Sequence, residues 1–227
     1  MNPKGWHKIS DHLYYFPDIC NVYALIHEDE AVLVDFGSGA ALDHLSEIGV
    51  GRVHAILHTH HHRDQCQGDS RAVAEGIPIW VPEHERRLFD QAELFWSTKQ
   101  LFDMYNVRNT YFTLTHNVPV AGVLEDFGNW SWGPYEFTIL PTPGHTLGSL
   151  TLLVTVDGRR VAFTGDLLYA PGKVLTMYDM QYNYGAVDGV EAAILSLSNL
   201  GRRQPQQLCP SHGDPMAEVD SALRMTR

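Results

Sequence analysis

No apolar run in this chain of 227 residues approaches the roughly 20 that a membrane span needs, so a helical membrane protein is excluded and no membrane partner is expected. Cysteine is scarce. Cys20, Cys66 and Cys209 are too few for a disulfide framework, which fits a reducing compartment, and Cys66 and Cys209 read as small buried residues. Residues 1–10 are polar where a signal peptide carries an apolar stretch, so the expected location is cytoplasmic. Positive charge is also short. Sixteen Lys and Arg stand against 27 Asp and Glu, a net charge of -11, which argues against a broad phosphate-binding surface and a nucleic-acid partner. There is no Gly/Ser linker and no short-period repeat, and the length suits a single domain over 1–227. What the chain has in quantity is histidine, at 13 residues.

The hydrophobic pattern alternates between strands and helices. Residues 22–27 and 31–35 read as two strands joined by a polar turn, 40–48 as a short helix, and 53–57 as a buried strand. A helix at 67–75 and a strand at 77–81 follow. Residues 86–104 have helical spacing with one heavily aromatic side, including Phe95, Trp96 and Phe102. Together with Trp130 and Trp132 they suggest an aromatic helical insertion around 85–132, able to cover a site, to pack in the core or to form a homodimer contact. A strand at 136–140 leads into His145, and strands at 149–156 and 160–164 flank Asp157-Gly158, a hairpin signal. A helix at 190–200, a strand at 207–209 and a terminal helix at 216–225 complete the order, which fits two packed sheets with helices outside. The loop 177–184, rich in aromatics, is a further candidate for a pocket wall.

One constellation carries chemistry. His60, His62 and Asp64 alternate along a loop that follows an apolar strand, so their side chains can face one spot. Imidazole and carboxylate suit zinc and similar ions. His145, Asp166 and His212 each follow an apolar run, at the place where a strand gives way to a loop. If those strand ends share one edge, six metal-binding groups meet there. His61 alternates with two of them and should point away, while His58 reads as a support for the site or as a core residue.

These segments resemble a known family. Thr59-His-His-His-Arg-Asp64 is similar to the T-H-x-H-x-D-H signature of the metallo-β-lactamase superfamily, and 142–148 to its T-P-G-H-T-x-G segment. Thr164-Gly-Asp166, Ser211-His-Gly213 and the run 32–37 resemble its remaining elements, in the family's order and over about 8–215. The resemblance implies a four-layer αββα sandwich with one or two metal ions at its edge. It implies that His60, His62 and His145 hold the first ion, that Asp166 bridges both, and that Asp64 and His212 hold the second. Asp35 would be structural, bonding near the ligand loop. Asp64 would orient water and take its proton. Tyr169, three residues past Asp166, stands where a tyrosine of the homoserine-lactone lactonases contacts the substrate carbonyl.

One position departs from the family. Gln65 stands where the signature has its last histidine, and a neutral amide is the poorer ligand. Gln65 is thus a weak ligand at most, and the expectation is zinc, with one tight and one weaker ion. Iron or manganese also fit. The expected activity is hydrolysis by metal-activated water of an ester, a lactone or a related bond, in a small molecule with an apolar part. The alternatives are a β-lactamase-like amide hydrolase, a thioester hydrolase like glyoxalase II with Arg202 and Arg203 as candidate contacts, an iron dioxygenase of the persulfide type, and a metal-stabilised binding module without activity.

Overall fold

The computed structural model of the protein describes residues 5–99, 112–174 and 188–226. The described strands form two sheets. The first runs β1 (His7–Lys8), β2 (Leu13–Pro17), β3 (Asn21–His27), β4 (Glu30–Val34), β5 (Arg52–Leu57), β6 (Ile79–Pro82) and β7 (Gly122–Leu124), paired in that order. The second contains β8 (Asn129–Trp132), β9 (Tyr135–Pro141), β10 (Leu150–Val156), β11 (Arg159–Gly165) and β12 (Gln207–Pro210), in the order β12-β11-β10-β9-β8.

Side-chain alternation explains the layering. Along β3, Tyr23 and Leu25 face the second sheet, and Val22, Ala24 and Ile26 face the other way. Both sets are buried, so the strand reads as one apolar run. Val32 and Val34 of β4 meet Leu152, Val154, Val161 and Phe163 of β10 and β11 between the sheets. The outer face of the first sheet is covered by a 3-10 helix (Ala40–Ile48) together with α2 (Asp69–Ala74) and α3 (Arg87–Asp90). That of the second sheet is covered by α5 (Asp188–Arg202) and α6 (Val219–Thr226). The order is helix, sheet, sheet, helix, the αββα sandwich that the resemblance implies.

Three expectations change. The run from 86 is not one helix. It breaks at Gln91 (φ -131°, ψ 29°) into α3 and α4 (Ala92–Thr98), while Phe102 and the remainder to 104 lie outside the described residues, as does the loop 177–184. The region 85–132 is not wholly helical, because β7 and β8 belong to the sheets; β7 has only three residues and begins at a glycine, too little pattern to read. Trp130 and Trp132 do not cover the candidate site. Both sit on β8, where Trp132 is buried between the sheets and Trp130 packs on Phe137. Trp130 also lines a cavity of about 1030 Å3 at the start of β5, whereas the candidate ligands follow the end of that strand.

Candidate metal centre

Strands β5, β11 and β12 end side by side across the two sheets, and the loops beyond them converge. Leu150 N–H donates to Thr59 O at 2.9 Å and Ser211 N–H to Gly165 O at 2.9 Å, which ties the ligand-bearing loops together. Gly165 has φ +54°, and a Cβ there would lie 2.9 Å from Thr59 Oγ1. Glycine is therefore required immediately before Asp166.

The six expected metal-binding residues do meet. Ligand-capable atoms of His60, His62, His145 and Asp166 all lie within 4.8 Å of one another, and so do those of Asp64, Asp166 and His212. Asp166 is common to both groups. The route to Asp64 differs from the expected alternation. The chain bends at Thr59 and His60, stays extended at His62 (φ -66°, ψ 149°) and enters the short helix α1 (Arg63–Cys66), so a helical turn delivers Asp64.

The donor set fits a cation. His145 Nε2 and His62 Nδ1 face each other at 2.8 Å, a spacing at which two lone pairs repel unless a proton or an ion lies between them. His145 Nε2 is 3.2 Å and His60 Nε2 3.6 Å from Asp166 Oδ2. His60 Nε2 and Asp166 Oδ1 are buried without a hydrogen-bond partner, which is costly for polar atoms unless something else engages them. Burial and the neighbouring imidazoles push the His60 pKa well down, so that ring is neutral and its lone pair is available.

The other trio is more open, and two of its members bond each other. His212 Nε2 lies 2.9 Å from Asp64 Oδ2, and their side chains are 31% and 37% exposed. The Asp64 hydrogen bond, joined by the Asp166 charge and opposed by partial burial, raises the His212 pKa to about 9. Burial would raise the Asp64 carboxyl, but the bond to His212 outweighs it and holds Asp64 below its ordinary value. Gln65 is fully buried. Its Nε2 donates to Asp64 Oδ2 at 3.0 Å, while Oε1 has no hydrogen-bond partner.

Buried residues behind the candidate ligands hold the loops. Asp35 accepts from Thr59 N–H (2.9 Å), Thr59 Oγ1 (2.9 Å) and Ser211 Oγ (3.0 Å), which is the structural task expected of it. Each donor left unpaired by its removal would cost about 1–3 kcal/mol. His58 is buried, 3.0 Å from Asp69 and 3.5 Å from Asp35. Burial lowers its pKa, but the two carboxylates outweigh that and raise it to about 9. His61 points away from the cluster and meets Glu85 Oε2 at 3.0 Å. Glu85 Oε1 also accepts from Gly148 N–H at 3.1 Å, and a Cβ on Gly148 would strike the Glu85 side chain at 2.4 Å. Glu85 thus clamps the His60–His62 loop to the loop that carries His145. Its role is not readable from the sequence, although a polar His61 turned inward demands a partner. Cys66 and Cys209 are buried free thiols, and Cys66 donates to His62 O at 3.0 Å.

The cluster opens into a cavity of about 430 Å3, whose wall includes Ile19, Arg63, Gln67 and Phe112. Phe112 packs on the His62 ring at 5.5 Å between centroids. Tyr169 is not among the described wall residues. Its ring lies 5.9 Å from Lys173 Nζ, and its carbonyl occupies the place of a Cβ on Gly213. Phe95 and Trp96 pack against each other, and the Trp96 indole donates to Leu114 O at 2.8 Å, so neither is on this wall.

Residues 15–212 match the family model of the metallo-beta-lactamase superfamily. The chain belongs to that superfamily, and it is a metal-dependent hydrolase of that class. Over 160 residues it is 29% identical to a probable metallo-hydrolase, YqgX, of Bacillus subtilis, an alignment that covers 69% of each protein. Over 169 residues it is 25% identical to a hydroxyacylglutathione hydrolase of Bdellovibrio bacteriovorus, covering 71% of this chain but only 55% of that enzyme. The fold is similar to that of a metallo-beta-lactamase family protein from Thermus thermophilus (TM-score 0.73, 22% identity, 96% of this chain and 79% of that one).

Proposed function

We propose that the chain hydrolyses a small acyl compound, a thioester or an ester, with one tightly held zinc-type ion and a second, weaker one. The observation that carries this reading is the buried quartet His60, His62, His145 and Asp166, whose ligand atoms converge and of which His62, His145 and Asp166 line an open cavity. Three imidazoles and a carboxylate suit zinc, and iron or manganese are accommodated by the same donors. Asp64, His212 and the shared Asp166 would hold the second ion, with Gln65 as a weak ligand at most. A bound ion supplies a Lewis acid that acidifies water and polarises the acyl oxygen.

The remaining chemistry falls to the chain itself. Asp64 is held ionised beside His212, so it is placed to orient a water molecule and accept its proton. His212, protonated in the metal-free chain, is placed to return a proton to the leaving group when the second ion is absent. Tyr169, whose backbone lies against Gly213 beside His212, remains the candidate for a contact to the substrate carbonyl. Thioesters come first among substrates because of the hydroxyacylglutathione hydrolase relative, although the chain spans little more than half of that enzyme.

The test is a panel of thioesters, aryl esters, lactones, β-lactams and phosphodiesters, offered to protein loaded with zinc, iron or manganese, with oxygen uptake followed in parallel. Turnover of thioesters or esters without oxygen uptake is expected. Oxygen consumption with a persulfide substrate, or cleavage of phosphodiesters alone, would replace this reading.

A further inference from the structure

The cavity wall carries an unusual charge for so acidic a protein. Arg63 stands between the candidate ligands His62 and Asp64, and it is the only arginine or lysine among the described residues that line the cavity. Three other arginines meet carboxylates, Arg52 with Glu30, Arg71 with Asp43 and Glu75, and Arg86 with Asp90, while Arg160, far from the cavity on β11, donates to Arg203 O. Arg63 has no carboxylate partner among the described residues. One amino group donates to Thr113 O at 3.3 Å, which holds the guanidinium against the segment carrying Phe112. Among the described residues the rest of its planar fork meets no acceptor, and such a fork matches a carboxylate with two parallel hydrogen bonds. Phe112 and Ile19, 46% and 42% exposed, add an apolar surface to the same wall.

We infer that Arg63 is a specificity-determining residue, which binds an anionic end group, a carboxylate by preference, of a substrate whose apolar part lies on Phe112 and Ile19. This deepens the hydrolase reading above and rests on it. The scissile acyl group would sit over the His60–His145 cluster. The anionic tail would reach Arg63 at the mouth, where a guanidinium still in contact with water can exchange its hydration for the ligand. A charge-assisted pair of this kind is worth about tenfold or more in binding when its alternative is a neutral group.

Two measurements test it on the metal-loaded protein. The first compares benzoyl thioesters of 3-mercaptopropanoate, of N-acetylcysteamine and of 4′-phosphopantetheine, which are anionic through carboxylate, neutral and anionic through phosphate. Arg63→Ala should raise KM for the carboxylate thioester at least tenfold more than for the neutral one, with kcat and metal content retained. A larger effect on the phosphate thioester would reassign the anion to phosphate. Equal effects on all three, or no effect, would overturn the inference. The second titrates calorimetrically the uncleavable S-benzyl thioethers of 3-mercaptopropanoate and N-acetylcysteamine. The wild type should prefer the anionic thioether about tenfold, and Arg63→Ala should lose that preference. If thioesters are not turned over but the thioether preference stands, the hydrolase reading fails and the Arg63 site survives. If they are turned over with no charge preference in either protein, the hydrolase reading survives and the Arg63 site fails.

Discussion

The two groups of candidate ligands share Asp166 and little else. His60, His62 and His145 are buried, gripped from behind by Thr59, Asp35 and Glu85, and turned so that their ring nitrogens face one another. Asp64 and His212 are about one-third exposed and bonded to each other. Burial strips the proton from His60, whereas the Asp64 carboxylate keeps one on His212. The first group thus offers an ion two unpartnered buried atoms, and the second must give up the bond between Asp64 and His212. An ion in the second group has to compete with a proton, which is a regular cost of metal binding.

The largest expected effect is at the first group. His60→Ala should remove most bound metal and lower turnover by more than about a hundredfold, beyond what losing a mere supporting partner costs. Metals per chain by mass spectrometry, set beside initial rates, check this. Full metal content with normal turnover would remove His60 from the ligand set. Next comes the clamp. Glu85→Gln keeps the shape but takes away the charge facing His61. Metal affinity at the first group should fall by about 10- to 100-fold, measured by chelator competition, with the melting temperature of the metal-free protein changing little. A large loss of stability with unchanged affinity would make Glu85 a packing residue.

Much of this contrast was legible in the sequence, and the rest was not for definite reasons. The six candidate metal-binding positions could be read because they lie beyond apolar strand ends, buried on both faces in β11 and β12 and at the end of β5, and apolar at the end of β9. The aromatic run from 86 misled because amphipathic spacing does not reveal a break such as the one at Gln91. Trp130 and Trp132 looked like a cover because their strand is four residues long and polar at alternate positions, a pattern too short to outweigh composition. Glu85 and Asp69 were unreadable in principle: acidic residues are surface residues by default, and only the fold shows the buried imidazole each one meets. Asp64 reaches the cluster by a helical turn and not by the expected alternation, because the chain enters a short helix directly after His62.

The pH dependence of metal loading separates the groups further. The first group should bind with nearly constant affinity between pH 7 and 9, because His60 is already neutral there. The His212 pKa is raised to about 9, so below that value a proton must be displaced from it before the second ion can use it. Second-site affinity should therefore rise with pH, by up to about tenfold per unit, and level off near pH 9. Calorimetric metal titrations at pH 7, 8 and 9 measure this, and parallel slopes for the two ions would remove the asymmetry.

The smallest expected effect, and the most specific to this chain, is at Gln65. The backbone there is fixed on three sides. Gln65 O accepts from Phe36 and Gly37, and Gln65 N–H donates to His62 O. A replacement side chain therefore starts from the same place. Gln65 offers Asp64 one N–H and leaves Oε1 buried without a hydrogen-bond partner, an arrangement that costs about 1–3 kcal/mol unless an ion engages that oxygen. An imidazole would give up the bond to Asp64, but it supplies the stronger donor toward a zinc-type ion. Gln65→His should thus slow the loss of the second ion during dialysis against a mild chelator, by about tenfold, while retention of the first ion stays unchanged. The wild type should fall from two ions per chain toward one in the same experiment. Two equally retained ions in the wild type would show that the amide does not weaken the site. A wild type that holds one ion and keeps full activity would instead assign Asp64 and His212 to proton transfer, with the buried quartet as the only metal centre.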